Sequence, residues 1–221
     1  FCRALCAERG VPLHVERCDI AALSQGKAVE ETARRERYRL LERAAEGDKV
    51  ATAHTADDNL ETMLFHLVRG TGAKGLTGIP PVRGRIIRPL IEVERREIEA
   101  FLREREQDFV TDSTNADTAY TRNRLRQEVV PILRELNPQA VQAAARLSRQ
   151  LRQDETCLQS YAQTCVQLCA VGNGAWKIQP LREAAPAVRS RALRLLLENA
   201  DMPLKDVTAK HITALEHLLE T

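Results

Sequence analysis

The hydrophobic pattern of the first 70 residues changes period again and again, and that alternation constrains the fold more than any other feature. Residues 2–9 follow a helical period. Pro12 to Ile20 reads as a strand, with Leu13, Val15, Cys18 and Ile20 set among polar residues. From Ala28 to Ala45 the period is helical, carried by Val29, Ala33, Leu40, Leu41 and Ala44. Lys49 to Ala53 is a short buried strand that ends at His54. Thr55 opens another helix, with Thr55 and Asp58 at capping-box spacing and Gly70 where a terminal glycine belongs. Helix, strand, helix, strand, helix is the order of a parallel sheet covered by helices.

The remainder is organised differently. Residues 71–84 are rich in Gly and Pro, Ile86 to Ile91 is a strand interrupted by Pro89, and Glu94 to Glu106 is helical. Phe109 to Tyr120 reads as loop. After Thr121 nearly everything is helical, with a boundary at Pro138, a break at Gly172–Gly174, a short strand at Trp176–Ile178 and a polar loop at 201–203. The chain therefore divides into an α/β domain at 1–135 and a helical domain at 136–221. No apolar run approaches the roughly 20 residues that span a bilayer, and no secretory leader opens the chain. Six cysteines occur without a C-x-x-C pair, and Cys165 and Cys169 share one helix face. Reduced, buried thiols in a cytoplasmic protein are expected. The first residue is Phe1, so the chain is expected to be a piece of a longer reading frame.

A net charge of +2 is too small to argue for nucleic acid alone. The kind of cation says more. Only six of the 33 basic residues are Lys, and Arg offers a planar fork suited to phosphate. Between Thr121 and Arg152 the arginines at 122, 124, 126, 134, 146, 149 and 152 face only Glu128 and Glu135. Such a stripe is a candidate phosphate-binding surface, with a solvated helix face as the plain alternative. Core packing is the expected role of Tyr161 and Trp176.

The sharpest chemistry lies at residues 51–62. In the helix after Thr55, Leu60, Met63, Leu64, Leu67 and Val68 form the stripe expected to be buried. Asp58 and Glu61 form a second stripe, roughly 60° apart at about 100° per residue. His54 falls at the carboxyl end of a strand, where open α/β sheets bind ligands. Asp58 and Glu61 offer oxygens to a divalent cation, or a seat for a cationic amine. His54 suits a phosphate contact or a proton exchange near neutral pH. Acids at a helix start also simply favour its dipole.

These residues, taken in order, resemble the tRNA(Ile)-lysidine synthetases within the N-type ATP pyrophosphatases. Glu31-Thr-Ala-Arg-Arg-Glu-Arg-Tyr38 is similar to the family's Ala-Arg-x-x-Arg-Tyr helix. Ala53-His-Thr-Ala-Asp-Asp-Asn-Leu-Glu-Thr62 is similar to its His-x-x-Asp-Asp-x-x-Glu-Thr motif. The run from Arg69 to Gly78 resembles its glycine loop, and Arg88-Pro-Leu-Ile91 its Arg-Pro-Leu strand. Asp112-Ser-Thr-Asn115 and Arg122-Asn-Arg-Leu-Arg126 resemble its last two signatures. Residues 150–221 look, more loosely, like the family's helical substrate-binding domain.

The resemblance implies a Rossmann-like, adenine-nucleotide alpha-hydrolase type of parallel-sheet domain followed by a helical one that binds tRNA. It implies ATP and Mg2+ as cofactors, and tRNA(Ile) with a CAU anticodon and free lysine as partners. A homodimer is compatible with it. Lysine is joined to C2 of the wobble cytidine through an adenylated tRNA, giving lysidine. Asp58, Glu61 and His54 are then catalytic, with His54 beside the nucleotide and Mg2+ on Asp58 and Glu61. Arg34, Arg122, Arg124 and Arg126 are substrate- or tRNA-binding. The glycine loop is a helix cap with a connector, or a lid.

One family feature has no match: the Ser-Gly-Gly-x-Asp-Ser phosphate loop and its strand do not occur in these 221 residues. The chain alone is therefore expected to form no lysidine. Two other functions fit parts of the pattern. A tRNA-thiolating ATP pyrophosphatase that uses an iron–sulfur cluster needs the C-x-x-C missing here. A non-catalytic tRNA-binding module would use the arginine stripe and need no ATP.

Overall fold

The computed structural model describes residues 1–24, 28–110, 121–172, 175–200, 202, 204 and 207–220. The Asp112–Asn115 motif, the loop residues 25–27, Asn173 and Gly174, and residues 201 and 203 of the expected polar loop lie outside them. The described residues form two compact units. One comprises Phe1–Thr71 and Gly78–Arg146, the other Gly72–Thr77 and Leu147–Thr221.

In the first unit, α1 (Cys2–Arg9) ends at Gly10, whose φ of 63° closes the helix in the left-handed conformation. After α2 (Ile20–Ser24) and α3 (Val29–Ala44), the chain enters β1 (Val50–Ala51) and then α4 (Ala56–Val68). β2 (Val82–Arg83) and β3 (Ile86–Ile87) form a hairpin. The sheet order is β1-β3-β2. β1 runs parallel to β3, with Val50 opposite Ile86, and β2 runs antiparallel to it. A parallel crossover is therefore present, but it joins β1 to β3 and not to residues 12–20, and an antiparallel strand extends it.

Two strand expectations need correction. Residues 11–19 are irregular, and Val11, Leu13 and Val15 are exposed. An alternating segment becomes a strand only when a ladder accepts its backbone groups. Among the described residues β1 pairs with β3 alone, and nothing pairs with 11–19. The strand at 86–91 stops after Ile87, because Pro89 has no N–H to give a ladder. Arg88 to Val93 instead make tight turns, with Ile91 N donating to Arg88 O and Val93 N to Leu90 O.

The helical remainder of this unit comprises α6 (Arg95–Glu104), α7 (Thr121–Arg124), a π turn (Leu125–Val129), α8 (Val130–Leu136) and the start of α9 (Ala140–Cys169). Asn137 and Pro138 separate α8 from α9. Ala56 and Leu60 of α4 pack with Val130, Val141 and Ala145 to form the core. The expected apolar stripe of α4 is buried only in its first half. Leu60 and Met63 are buried, whereas Leu67 and Val68 are exposed. Polar Asn59, Glu61 and Thr62 are buried instead.

The second unit holds α5 (Ala73–Leu76), most of α9, β4 (Ala170–Gly172), β5 (Ala175–Trp176), α10 (Gln179–Glu183), α11 (Pro186–Asn199) and α12 (Ala209–Glu220). Its core joins Ala162, Cys165, Val166 and Cys169 of α9 to Leu181, Leu193 and Ile212. Burial pushes the Cys169 thiol up to about 11. All six cysteines are free, but Cys2, Cys18 and Cys157 are exposed, so only Cys165 and Cys169 are the buried thiols expected. Tyr161 and Trp176 are also exposed rather than in the core. Among the described residues no helix is long and apolar enough to cross a membrane.

Candidate active site

The carboxyl end of β1 and the first turn of α4 meet two adjoining cavities of about 550 and 420 Å3 in the first unit. Both are lined by His54, Asp58, Arg37 and Arg126. The larger adds Glu61, Arg34, Arg83, Arg88 and Arg122. His54, Asp58, Glu61, Arg34, Arg122 and Arg126 are thus brought together. Arg124 is not among them: it points to solvent and pairs with Glu128 at 3.1 Å, one helical turn away.

Local sequence fixes the start of α4. The Thr55 side chain accepts from Asp58 N, and Asp58 Oδ2 accepts from Thr55 N at 2.8 Å, so the predicted capping box is closed. Thr55 Oγ1 also donates to Asp58 Oδ2 at 2.9 Å. Asp58 Oδ1 is thereby left facing the cavity. Asp57 points elsewhere. Its Oδ2 accepts from Arg95 N, the first amide of α6, and its Oδ1 from Arg134 Nη2 at 2.6 Å. Arg134 also donates to fully buried Glu94, which takes Arg96 as well. This network ties α4 to α6 and α8 where the acidic residues emerge.

Arg126 of the π turn holds the acidic pair. Its Nε donates to Glu61 Oε1 at 2.6 Å and its Nη2 to Glu61 Oε2 at 2.8 Å. The same Nη2 reaches Asp58 Oδ1 at 3.2 Å. Two-point pairing of this kind is among the strongest polar contacts. Even so, burial outweighs Arg126 and raises the Glu61 carboxyl above its ordinary range. Glu61 and Asp58 in turn raise the Arg126 guanidinium, against its own burial.

The opposite wall is cationic. Arg34, Arg37 and Arg83 stand over the Tyr38 ring at 5.3, 5.9 and 5.5 Å, and Arg122 over Phe65 at 5.4 Å. Burial, countered by Tyr38 but aided by Arg122, Arg83 and Arg37, lowers the Arg34 pKa. Buried Arg88 Nε has no hydrogen-bond partner among the described residues, and, against the effect of burial, Arg88 beside the Tyr38 hydroxyl lowers its pKa. A wall of crowded guanidiniums with a polar atom to spare fits a polyphosphate anion.

His54 lies between the walls. Its Nδ1 is 3.0 Å from Thr52 Oγ1. Burial is the main cause that lowers its pKa, and Arg88, Arg34 and Arg37 add to it while Asp58 opposes. The neutral form of the ring is therefore favoured.

The same geometry tests magnesium. Among the described residues no group of three or more His, Cys, Asp or Glu is placed to hold a metal ion. The Asp58 and Glu61 oxygens are committed to Arg126 and Thr55. Mg2+ needs only one or two carboxylates when substrate phosphates and waters complete its shell, so Asp58 and Glu61 would hold it, or an organic cation, in exchange for Arg126.

Several site residues escape sequence reasoning. Tyr38, Arg88 and Gly78 occur in the motifs quoted above, but spacing gives them no role. Asn59 is buried, and its Oδ1 accepts from Ile79 N at 2.7 Å. A Cβ on Gly78, at φ 68°, would sit 2.1 Å from that oxygen. An Asn facing a Gly-Ile step across 20 residues of chain leaves no periodic signal.

Residues 1–133 match the family model of the PP-loop domain. The chain is similar to a tRNA(Ile)-lysidine synthase of Bacteroides thetaiotaomicron, 43% identical over 143 residues, covering 62% of this chain and 34% of that protein. It is similar to the tRNA(Ile)-lysidine synthase of Pseudomonas aeruginosa, 40% identical over 173 residues, covering 76% and 38%. A third similarity is to that of Caldanaerobacter subterraneus subsp. tengcongensis, 34% identical over 203 residues, covering 88% and 44%. The chain spans about a third of the length of the first two and under half of the third.

Proposed function

Since this chain belongs to the PP-loop domain family, we propose that it carries catalytic residues of an ATP-dependent ligase that joins free lysine to C2 of the wobble cytidine of tRNA(Ile). One observation carries the reading. A single cavity sets an acidic pair, Asp58 and Glu61, against a wall of arginines, with His54, favoured in its neutral form, between them. Ligation of an amine by way of a nucleotide needs both walls. The relatives' names supply the substrates.

In the first step the C2 oxygen attacks the α-phosphorus, a new O–P bond forms, and the bond to pyrophosphate breaks. Charge then develops on the departing phosphates. Arg34, Arg37, Arg83 and Arg122 stand where they spread it without reorganisation. His54, held at Nδ1 by Thr52, presents its other ring nitrogen to the phosphates. In the second step the lysine amine attacks C2, the C2–N bond forms, and the C2–O bond breaks to release AMP. The amine must lose a proton before it attacks. The Asp58–Glu61 pair both seats the ammonium and offers carboxylate oxygens to that proton.

The test uses the protein expressed from its complete reading frame. It is incubated with tRNA(Ile), ATP and radiolabelled lysine. Label is expected in acid-precipitable tRNA, with ATP converted to AMP. Asp58→Asn is expected to lower that incorporation at least 100-fold. ATP cleavage to AMP without lysine in the tRNA would overturn the reading.

A further inference from the structure

We infer that Arg126 is an internal competitor for the seat of the cationic substrate, and that its release couples amine binding to anion binding. The inference rests on the reading of Asp58 and Glu61 as the amine's seat. Arg126 uses both Glu61 oxygens and reaches Asp58 Oδ1. The remaining Asp58 oxygen is held by Thr55. A lysine ammonium needs the same oxygens that the guanidinium now takes. Asp58 Oδ1 also has Arg95 Nη2 at 3.6 Å, so the competition is sharpest at Glu61, where the guanidinium must turn away for an ammonium to take its place.

Where the displaced guanidinium goes decides the consequence. Arg126 lines the cavity together with Arg34, Arg37, Arg83, Arg88 and Arg122. Turned away from the acids, it adds a positive charge to a wall that already crowds several. Burial is the main cause that lowers the Arg34 pKa, and Arg122, Arg83 and Arg37 add to it. Without an anion the move is opposed; with a polyphosphate in the cavity it is favoured. Anion and amine therefore assist each other, and by linkage each does so equally. The seat therefore opens more readily when the nucleotide phosphates are in place, and the phosphates bind more tightly when the amine is seated. Arg126 also belongs to the π turn Leu125–Val129, a rare geometry that recurs at functional sites.

The experiment is calorimetric titration of L-lysine into the protein, with and without saturating inorganic pyrophosphate. Pyrophosphate is expected to tighten lysine binding at least tenfold, and lysine to tighten pyrophosphate by the same factor. Arg126→Gln is expected to bind lysine without pyrophosphate as tightly as the unaltered protein does with it. In that variant the coupling falls to within twofold. Equal lysine affinity with and without pyrophosphate in the unaltered protein would overturn the inference, and this arm needs no variant to fold. So would weaker lysine binding in Arg126→Gln than in the unaltered protein. Methylguanidinium separates the two readings. If Arg126→Gln takes it but not lysine, the competitor stands and the lysine assignment falls. If that variant takes neither, the competitor falls.

Discussion

Glu61 shows what a single buried carboxylate does to this fold. It is 5% exposed, and its partner Arg126 does not recover all that burial takes. Its folded pKa therefore lies above the unfolded value. A carboxyl raised in this way contributes stability below the ordinary carboxylate range, and that contribution is lost as pH rises through the folded value. Glu61→Gln removes the titration while keeping the shape. In urea unfolding at several pH values between 4.5 and 7, the variant is expected to gain on the unaltered protein as pH rises. A gain for the unaltered protein over the same range would count against a net burial penalty. His54 shifts the other way, downward, chiefly through burial.

At the scale of elements, the site depends on how α4 is held at its two ends. Its start is closed by the Thr55–Asp58 box and anchored through Asp57 to α6 and α8. Past its end, the chain turns back at Gly78, where Asn59 accepts from Ile79 N. Gly78→Ala combines a left-handed φ with an overlap on Asn59, so a loss of about 3 kcal/mol in unfolding free energy is expected. Gly84, at the turn between β2 and β3, has a similar φ of 59° with open space around it. Gly84→Ala is expected to lose only about 1 kcal/mol. Chemical denaturation of the two variants measures the difference, and equal losses would show that the overlap is relieved at no cost. Motif spacing makes Thr55, Asp58 and Gly70 legible, because caps are local interactions within a few residues. It says nothing of Asn59, Arg134 or Glu94, whose partners lie tens of residues away.

At the scale of the whole molecule, the described residues form two hydrophobic cores, one around Leu60, Val130 and Val141, the other around Cys169, Ala192 and Leu193. Separate cores permit separate unfolding. Leu193→Ala, with a local penalty of about 2–5 kcal/mol, is expected to speed amide exchange in α11 and α12 and leave that of α4 unchanged. Uniform acceleration along the chain would mean that the cores unfold as one.

The helices near residues 2–9, 29–44, 56–68 and 95–104, the place of His54 at a strand end and the capping of α4 were determined by sequence alone, since periodicity and caps act over short range. So was the pairing of Asp58 with Glu61 on one face. Tertiary structure decided the rest. It left residues 11–19 without a ladder, exposed Leu67 and Val68 while burying Glu61, and scattered the arginine run. Within the first unit, Arg122 joined an anion wall, Arg126 turned inward to the acids, and Arg134 locked α4 to its neighbours. The physical reason is that a charge's role is set by what stands within about 4 Å of it. In this protein those neighbours come from segments that only folding brings together.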